Sequence, residues 1–148
     1  MGKIMSEFIR KYTLIIVIVA FAALILQGDL FSSSALVIVG QICAILFSIS
    51  ARVAFGRQQL KVTADPGNGV LIQRGPYKFV RHPMYAAVLL FLWVSIAGHW
   101  SIFNAIVGVI ATVFAVFRVS VEEKLLREHY PDYNEYALRT KRMIPFLY

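Results

Sequence analysis

Three stretches of the chain carry no formally charged side chain: Tyr12–Gly28, Leu30–Ala51 and Pro83–Phe117. A helix needs about 20 apolar residues to cross a hydrocarbon core of about 30 Å, so each of the first two predicts one crossing. The third runs for 35 residues, too long for one span and about right for two short ones. Its natural break is Ala97-Gly98-His99-Trp100-Ser101, where glycine gives turn freedom and tryptophan suits an interface. The pattern therefore predicts an all-α integral membrane protein in a single domain, 1–148. Its four transmembrane helices lie at roughly 10–28, 34–53, 84–98 and 100–120, with a loop at 54–83 and an amphipathic C-terminal tail at 121–148.

The charges test that count. Lys3, Arg10 and Lys11 cluster at the start of the first span, and Arg52, Arg57, Lys61, Arg74, Lys78 and Arg81 lie between the second and third. Arg118, Lys124, Arg127, Arg139, Lys141 and Arg142 sit at or after the end of the fourth. With four spans all 15 Lys and Arg residues fall on one side, and the opposite loops carry only Asp29. The positive-inside rule makes the basic side cytoplasmic, with both termini there. Three spans would scatter the charges.

Composition agrees. A hydrophobic fraction of 59% and a mean hydropathy of +0.69 exceed the roughly 45–50% apolar content of soluble domains. The net charge of +7 is explained by the one-sided loops, so no nucleic-acid partner is expected. Cys43 is the lone cysteine, which excludes an intrachain disulfide. His82, His99 and His129 stand too far apart in sequence for a metal-ligand motif, and no glycine-rich phosphate loop or internal repeat is present. The start Met1-Gly2-Lys3-Ile4-Met5-Ser6 loosely matches a myristoylation signal, and Ala20-Phe21-Ala22 resembles a cleavage site. Because the apolar run continues through Leu24-Ile25-Leu26, the expectation is a retained first helix.

Polar residues inside the spans mark inward faces. Gln41, Ser48 and Ser50 suit bonds to neighbouring helices, or Gln41 lines a pocket. Ser34 is a candidate N-cap. Ala64-Asp65-Pro66-Gly67-Asn68-Gly69 reads as a loop, and Val70-Leu71-Ile72 as a short apolar touch-down. On the fourth helix Ala105, Gly108, Ala111 and Ala115 recur every three or four residues, which permits close helix contact in lipid.

Two polar clusters bracket the third apolar run. In Arg81-His82-Pro83, proline suits the first helical turn, so His82 sits at the cap and Tyr85 projects from the first turn. The free N–H groups of a helix start favour an anion, and Arg81 adds a carboxylate binder. Lys78 is read as serving topology alone. At the far end Arg118 and Glu122 are one turn apart and share a face. A charge beside an apolar helix is expensive, so Arg118 calls for an anionic partner, and Glu122 offers an acceptor to a cationic ligand group. Glu123, on another face, is expected to be solvated or structural. Beyond it, 124–136 and 140–148 mix charge with aromatic residues in an interfacial pattern, either a lid over both clusters or a plain membrane-surface segment.

Gly-Pro-Tyr-x-x-Val-Arg-His-Pro-Met-Tyr, an apolar hairpin, then Arg-x-x-x-Glu-Glu-x-x-Leu and Tyr-x-x-Tyr resembles the isoprenylcysteine carboxyl methyltransferase family. These integral membrane enzymes are related to the phospholipid methyltransferases. The resemblance covers about residues 60–148. It implies a multispan helical enzyme dependent on S-adenosyl-L-methionine. By position Tyr77, His82, Pro83, Tyr85 and Glu122 fall where the family contacts the cofactor, as do Gly69, Val70, Leu71 and Ile72 upstream. Arg118 matches the arginine assigned to the substrate carboxylate. Gly69 replaces a histidine common at the start of the upstream stretch, and Ala86-Ala87 replace a glycine often found after the motif tyrosine. The chain is also shorter at its N-terminus than the eukaryotic enzymes.

The sequence thus leads to methyl transfer onto a lipophilic small-molecule or lipid-modified acceptor at the cytoplasmic face, with membrane lipids as neighbours. A carboxylate of an isoprenylcysteine-like acceptor is the first expectation. The alternatives are an amine of a phospholipid head group, or a non-enzymatic scaffold for anionic lipid. Oligomeric state is left open.

Overall fold

The computed structural model describes residues 2–56 and 71–143, with side chains from residue 12 onward. It is helical: α1 Gly2–Gln27, α2 Ala35–Phe55, a 3-10 turn Gly75–Lys78, α3 Pro83–Gly98, α4 Ile102–His129 and α5 Tyr133–Arg139. Among the described residues there is no strand, only an isolated parallel bridge between Val80 and Lys141. The two upstream positions Gly69 and Val70 lie outside the described residues.

Three boundaries follow from local chemistry. Pro83 opens α3 at the first helical position with His82 as the cap residue, where a missing N–H costs nothing. Ser101 caps α4, its Oγ accepting from the Asn104 N–H at 3.0 Å. Ser34 occupies the cap of α2 but makes no side-chain cap bond. The expected fourth span ended near 120, whereas α4 continues to His129. Glu122 to Glu128 are good helix formers, and the first breaker is Pro131. Residues 121–129 are therefore the last turns of α4 and not the beginning of a separate tail.

α2 packs along α3, α1 along α4, and α3 against α4. Ala20 and Leu24 of α1, Leu92 and Ile96 of α3 and Ala111 of α4 form one buried cluster. Small residues line the seams: Gly108, Ala111 and Ala115 are buried on α4, as are Ala44, Ala51 and Ala54 on α2. A Cβ at Gly108 would stand 2.6 Å from Ile96 Cδ1, so that contact admits only glycine without repacking. Large apolar residues face outward instead, including Ile18, Leu36, Leu46, Val53 and Ile106. Small residues inside and large ones outside is the arrangement of helices packed in lipid.

Two helices, α2 and α4, are long and apolar enough to cross a membrane, while the apolar stretches Tyr12–Gln27 and Pro83–Gly98 are shorter. The 16 residues of α3 rise about 24 Å at about 1.5 Å each.

At the 97–101 turn, polar groups knit the helices. Asn104 is fully buried and donates to Asp29 Oδ2 at 2.8 Å and to the His99 carbonyl at 2.9 Å. Gln41 donates to the Leu30 carbonyl at 2.7 Å and to Ser95 Oγ at 3.0 Å. Gln41 is thus an interhelical bond-maker, one of the two roles expected of it.

Candidate functional site

At the opposite end the motif residues meet the end of the apolar part of α4. Tyr85, one turn into α3, donates its hydroxyl to Glu122 Oε1 at 2.5 Å. Arg118 Nε donates to the same oxygen at 3.0 Å, the i,i+4 pair that the spacing predicts. The Arg118 guanidinium also stands 5.8 Å over the Tyr85 ring. His82 Nδ1 is 3.6 Å from Glu122 Oε2, longer than a hydrogen bond. One oxygen of Glu122 is thus satisfied inside the protein, and the other faces an imidazole across a gap.

The next carboxylate turns elsewhere. Successive helical residues diverge by about 100°, and Glu123 meets Arg81, whose Nε donates to Oε1 at 2.7 Å. Arg142 Nε reaches Glu123 Oε2 at 3.1 Å, and Arg127 Nη2 stands 3.7 Å from that oxygen. Glu123 is only 2% exposed, so it is buried and paired, not solvated. Burial works against its charge, but His82 and Arg81 outweigh that and hold the carboxyl at about 2, well below its ordinary 4.5. His82 Nε2, 3.7 Å from Glu123 Oε1, is buried and has no hydrogen-bond partner among the described residues.

Arg81 is correspondingly occupied. Besides Glu123 it donates through Nη1 to the Ala137 carbonyl at 3.0 Å and to the Thr140 carbonyl. These groups lie at the C-terminal end of α5, where a cation satisfies carbonyls left over by the helix. The backbone completes the connection: Arg81 N donates to the Lys141 carbonyl at 2.8 Å, His82 N to the Arg142 carbonyl at 2.9 Å and Lys141 N to the Phe79 carbonyl at 3.0 Å. Tyr136 donates its hydroxyl to the Tyr77 carbonyl at 2.7 Å. The segment 136–143 thus lies strapped across 77–82.

Tyr77 is buried against Ala51 and Ala54, with Phe55, Ile72 and Met84 packed on the same cluster. Burial, and then the neighbouring Tyr136, push its phenol above the usual range. Burial likewise pushes Tyr136 up to about 12, against the pull of Arg81. Both hydroxyls stay protonated at neutral pH, consistent with Tyr136 as a donor. Leu71 is half-buried just before this cluster. An open groove lined by Ser50, Val53, Ala54, Arg74, Gly75 and Pro76 runs along the end of α2, and none of these residues belongs to the Glu122 cluster.

Of the residues singled out from sequence, His82, Tyr85, Arg118 and Glu122 come together. Pro83 starts the helix that carries Tyr85, and Tyr77 and Ile72 form a neighbouring apolar wall. Arg81 points to Glu123 and the strap instead. Sequence reasoning missed Glu123 as a hub. The available signal was the adjacent pair Glu122-Glu123, with Arg118 four residues before the first and Arg127 four residues after the second, so that the two carboxylates must face different partners. Among the described residues no group of three or more His, Cys, Asp or Glu side chains could hold a metal ion.

Comparison with known proteins adds three findings. The chain is 35% identical over 85 residues to the cobalt-zinc-cadmium resistance protein CzcN of Cupriavidus metallidurans, covering 54% of this chain and 38% of that protein. It is 31% identical over 80 residues to the nickel-cobalt-cadmium resistance protein NccN of Alcaligenes xylosoxydans xylosoxydans, covering 52% and 37%. The chain thus spans less than half the length of these curated relatives. No solved structure matches it. The phospholipid methyltransferase family model matches residues 15–133. With that match extending over most of the chain, and with the motif residues gathered at one end of an apolar helical bundle, the protein belongs to the phospholipid methyltransferase family of membrane methyltransferases.

Proposed function

We propose that the protein transfers a methyl group from S-adenosyl-L-methionine to a lipophilic acceptor at the membrane boundary. In this reading four helices cross the bilayer, the short α3 by locally thinning it, and the site faces the cytoplasm. The observation that carries the proposal is the meeting of Tyr85, Arg118 and Glu122 beside His82 at the charged end of the bundle.

The donor set fits such a cofactor. Glu122 Oε2 is the acceptor for an ammonium group, because Oε1 is already taken by Tyr85 and Arg118. His82 and the N-terminus of α3 suit a carboxylate, and the buried His82 Nε2, without a hydrogen-bond partner among the described residues, leaves polar capacity on that ring. Tyr77, Leu71 and Ile72 supply an apolar wall. Arg81 serves as a support that holds the strap, since its guanidinium is already engaged. When bound, the cofactor supplies a methyl group activated on a sulfonium. The chain's own work is to hold the acceptor in line and to exclude water. Arg118, oriented by Glu122, places the anionic group of the acceptor.

The acceptor in the first reading is a carboxylate on an isoprenylcysteine-like molecule. The second reading, an amine of a phospholipid head group with Arg118 on the phosphate, is favoured by the Arg118–Glu122 pairing, which reduces the net positive charge at the site. Wild type and Arg118→Ala in nanodiscs would be given tritiated S-adenosylmethionine with an S-prenylated cysteine or an aminophospholipid. Base-labile label on the cysteine derivative, lost in the variant, supports the first reading. Base-stable label on the lipid amine supports the second. No transfer to either acceptor by folded wild type would overturn both.

A further inference from the structure

Glu123 has no part in the proposed chemistry, yet it is buried and sits between α4, the motif and the tail. We infer that Glu123 is a positioning residue that clasps segment 136–143 over the candidate cofactor site, and that His82 couples this clasp to Glu122. The inference rests on the methyltransferase reading for the identity of the ligand.

The geometry is continuous from one carboxylate to the other. The His82 ring, buried at 6% exposure, lies between them, with Nδ1 3.6 Å from Glu122 Oε2 and Nε2 3.7 Å from Glu123 Oε1. Its backbone N–H is held by the Arg142 carbonyl, and that of Arg81 by the Lys141 carbonyl. Arg81 satisfies carbonyls of Ala137 and Thr140 at the end of α5, and Glu123 balances its charge. Without the Glu123 carboxylate, the guanidinium groups of Arg81 and Arg142 would lose their shared counter-ion, and Arg127 would stand near them unscreened. Their mutual repulsion would push the strap away from 77–82. A strap that closes more firmly when a ligand cation engages Glu122 must, by reciprocity, raise the affinity for that ligand when it is closed.

The test uses wild type, Glu123→Gln, Arg142→Ala and Arg139→Ala in nanodiscs. Arg139 forms only an exposed pair with Glu135 and serves as a control. Binding and dissociation of S-adenosylhomocysteine are measured alongside amide exchange of 136–143, and KM and kcat are determined separately. In wild type the ligand should slow exchange across 136–143. Glu123→Gln and Arg142→Ala should exchange faster and bind roughly tenfold more weakly, within the usual range for coupled sites. The loss should fall in the dissociation rate, and KM for the cofactor should rise with kcat largely kept. Arg139→Ala should match wild type. Arg142→Ala keeps the test decisive if Glu123→Gln fails to fold. Wild-type affinity in both clasp variants overturns the inference, whether or not exchange changes. Wild type that binds no S-adenosylhomocysteine overturns the methyltransferase reading and the coupling with it. Binding by wild type with unaffected variants overturns the present inference and leaves the methyltransferase reading standing.

Discussion

The two ends of the bundle use polar residues in opposite ways. At the 97–101 turn the buried groups are mainly amides and hydroxyls: Asn104 bonds to Asp29 and the His99 carbonyl, and Gln41 to Ser95 and the Leu30 carbonyl. Their bonds join one helix to the next, and they hold the hairpin in register. At the motif end the groups are ionisable, and some of their geometry is left open. Glu122 Oε2 and His82 Nδ1 face each other at 3.6 Å, and His82 Nε2 has no partner among the described residues. The turn end also keeps one buried atom without a hydrogen-bond partner among the described residues, His99 Nδ1, but the motif end sets two carboxylates within 4 Å of a buried imidazole, an arrangement with capacity for a charged ligand.

Substitutions at the two ends should separate stability from activity. The largest effect on stability is expected from Glu123→Ala, which leaves two directly bonded arginines without their counter-ion. Breaking a buried pair from one side costs about 3–5 kcal/mol, read as a lower unfolding midpoint in detergent. Glu122→Ala should lower methyl transfer about a hundredfold, as loss of a positioned charged contact does, and, because it strips Arg118 and Tyr85 of their shared acceptor, it should also lower the unfolding midpoint, though less than Glu123→Ala. Initial rates and S-adenosylhomocysteine titration check it, and a variant that is equally active breaks the contrast between the two ends.

Asn104→Ala should do the reverse. It strips Asp29 and the His99 carbonyl of their donor and costs about 1–3 kcal/mol of stability, while KM and kcat of the folded protein stay the same. The acid limb sharpens the contrast further. Because folding lowers the Glu123 carboxyl from 4.5 to about 2, its contribution is complete above about 4.5 and is lost as pH falls toward 2. The stability difference between wild type and Glu123→Gln should therefore shrink over that window in pH-dependent unfolding, whereas the loss in Asn104→Ala should not follow it. The smallest effect is expected for Arg139→Ala, whose exposed i,i+4 partner Glu135 contributes under about 1 kcal/mol.

Much of the site was legible because its spacings are local. Pro83 announced a helix start, which put His82 at the cap and Tyr85 on the first turn. Arg118 and Glu122 had to share a face whatever the rest of the chain did. Glu123 was not legible in the same way. Its helical position shows only that it points away from Glu122, and what it meets there depends on where Arg81 and Arg142 are carried. Arg81 was assigned to a ligand for a similar reason, since the Ala137 and Thr140 carbonyls that occupy it lie more than fifty residues further along the chain.

The sequence alone determined the apolar stretches, the turn at 97–101, the confinement of basic residues to the segments outside those stretches and the pairing of Arg118 with Glu122. All of these depend on composition or on residues within a helical turn of one another. Tertiary structure decided which helices lie side by side, that α4 carries its adjacent Glu122 and Glu123 to different partners, and that the tail returns to pair with Arg81 and His82. Those outcomes depend on the relative placement of segments from 19 to 101 residues apart, which no local period along the chain encodes.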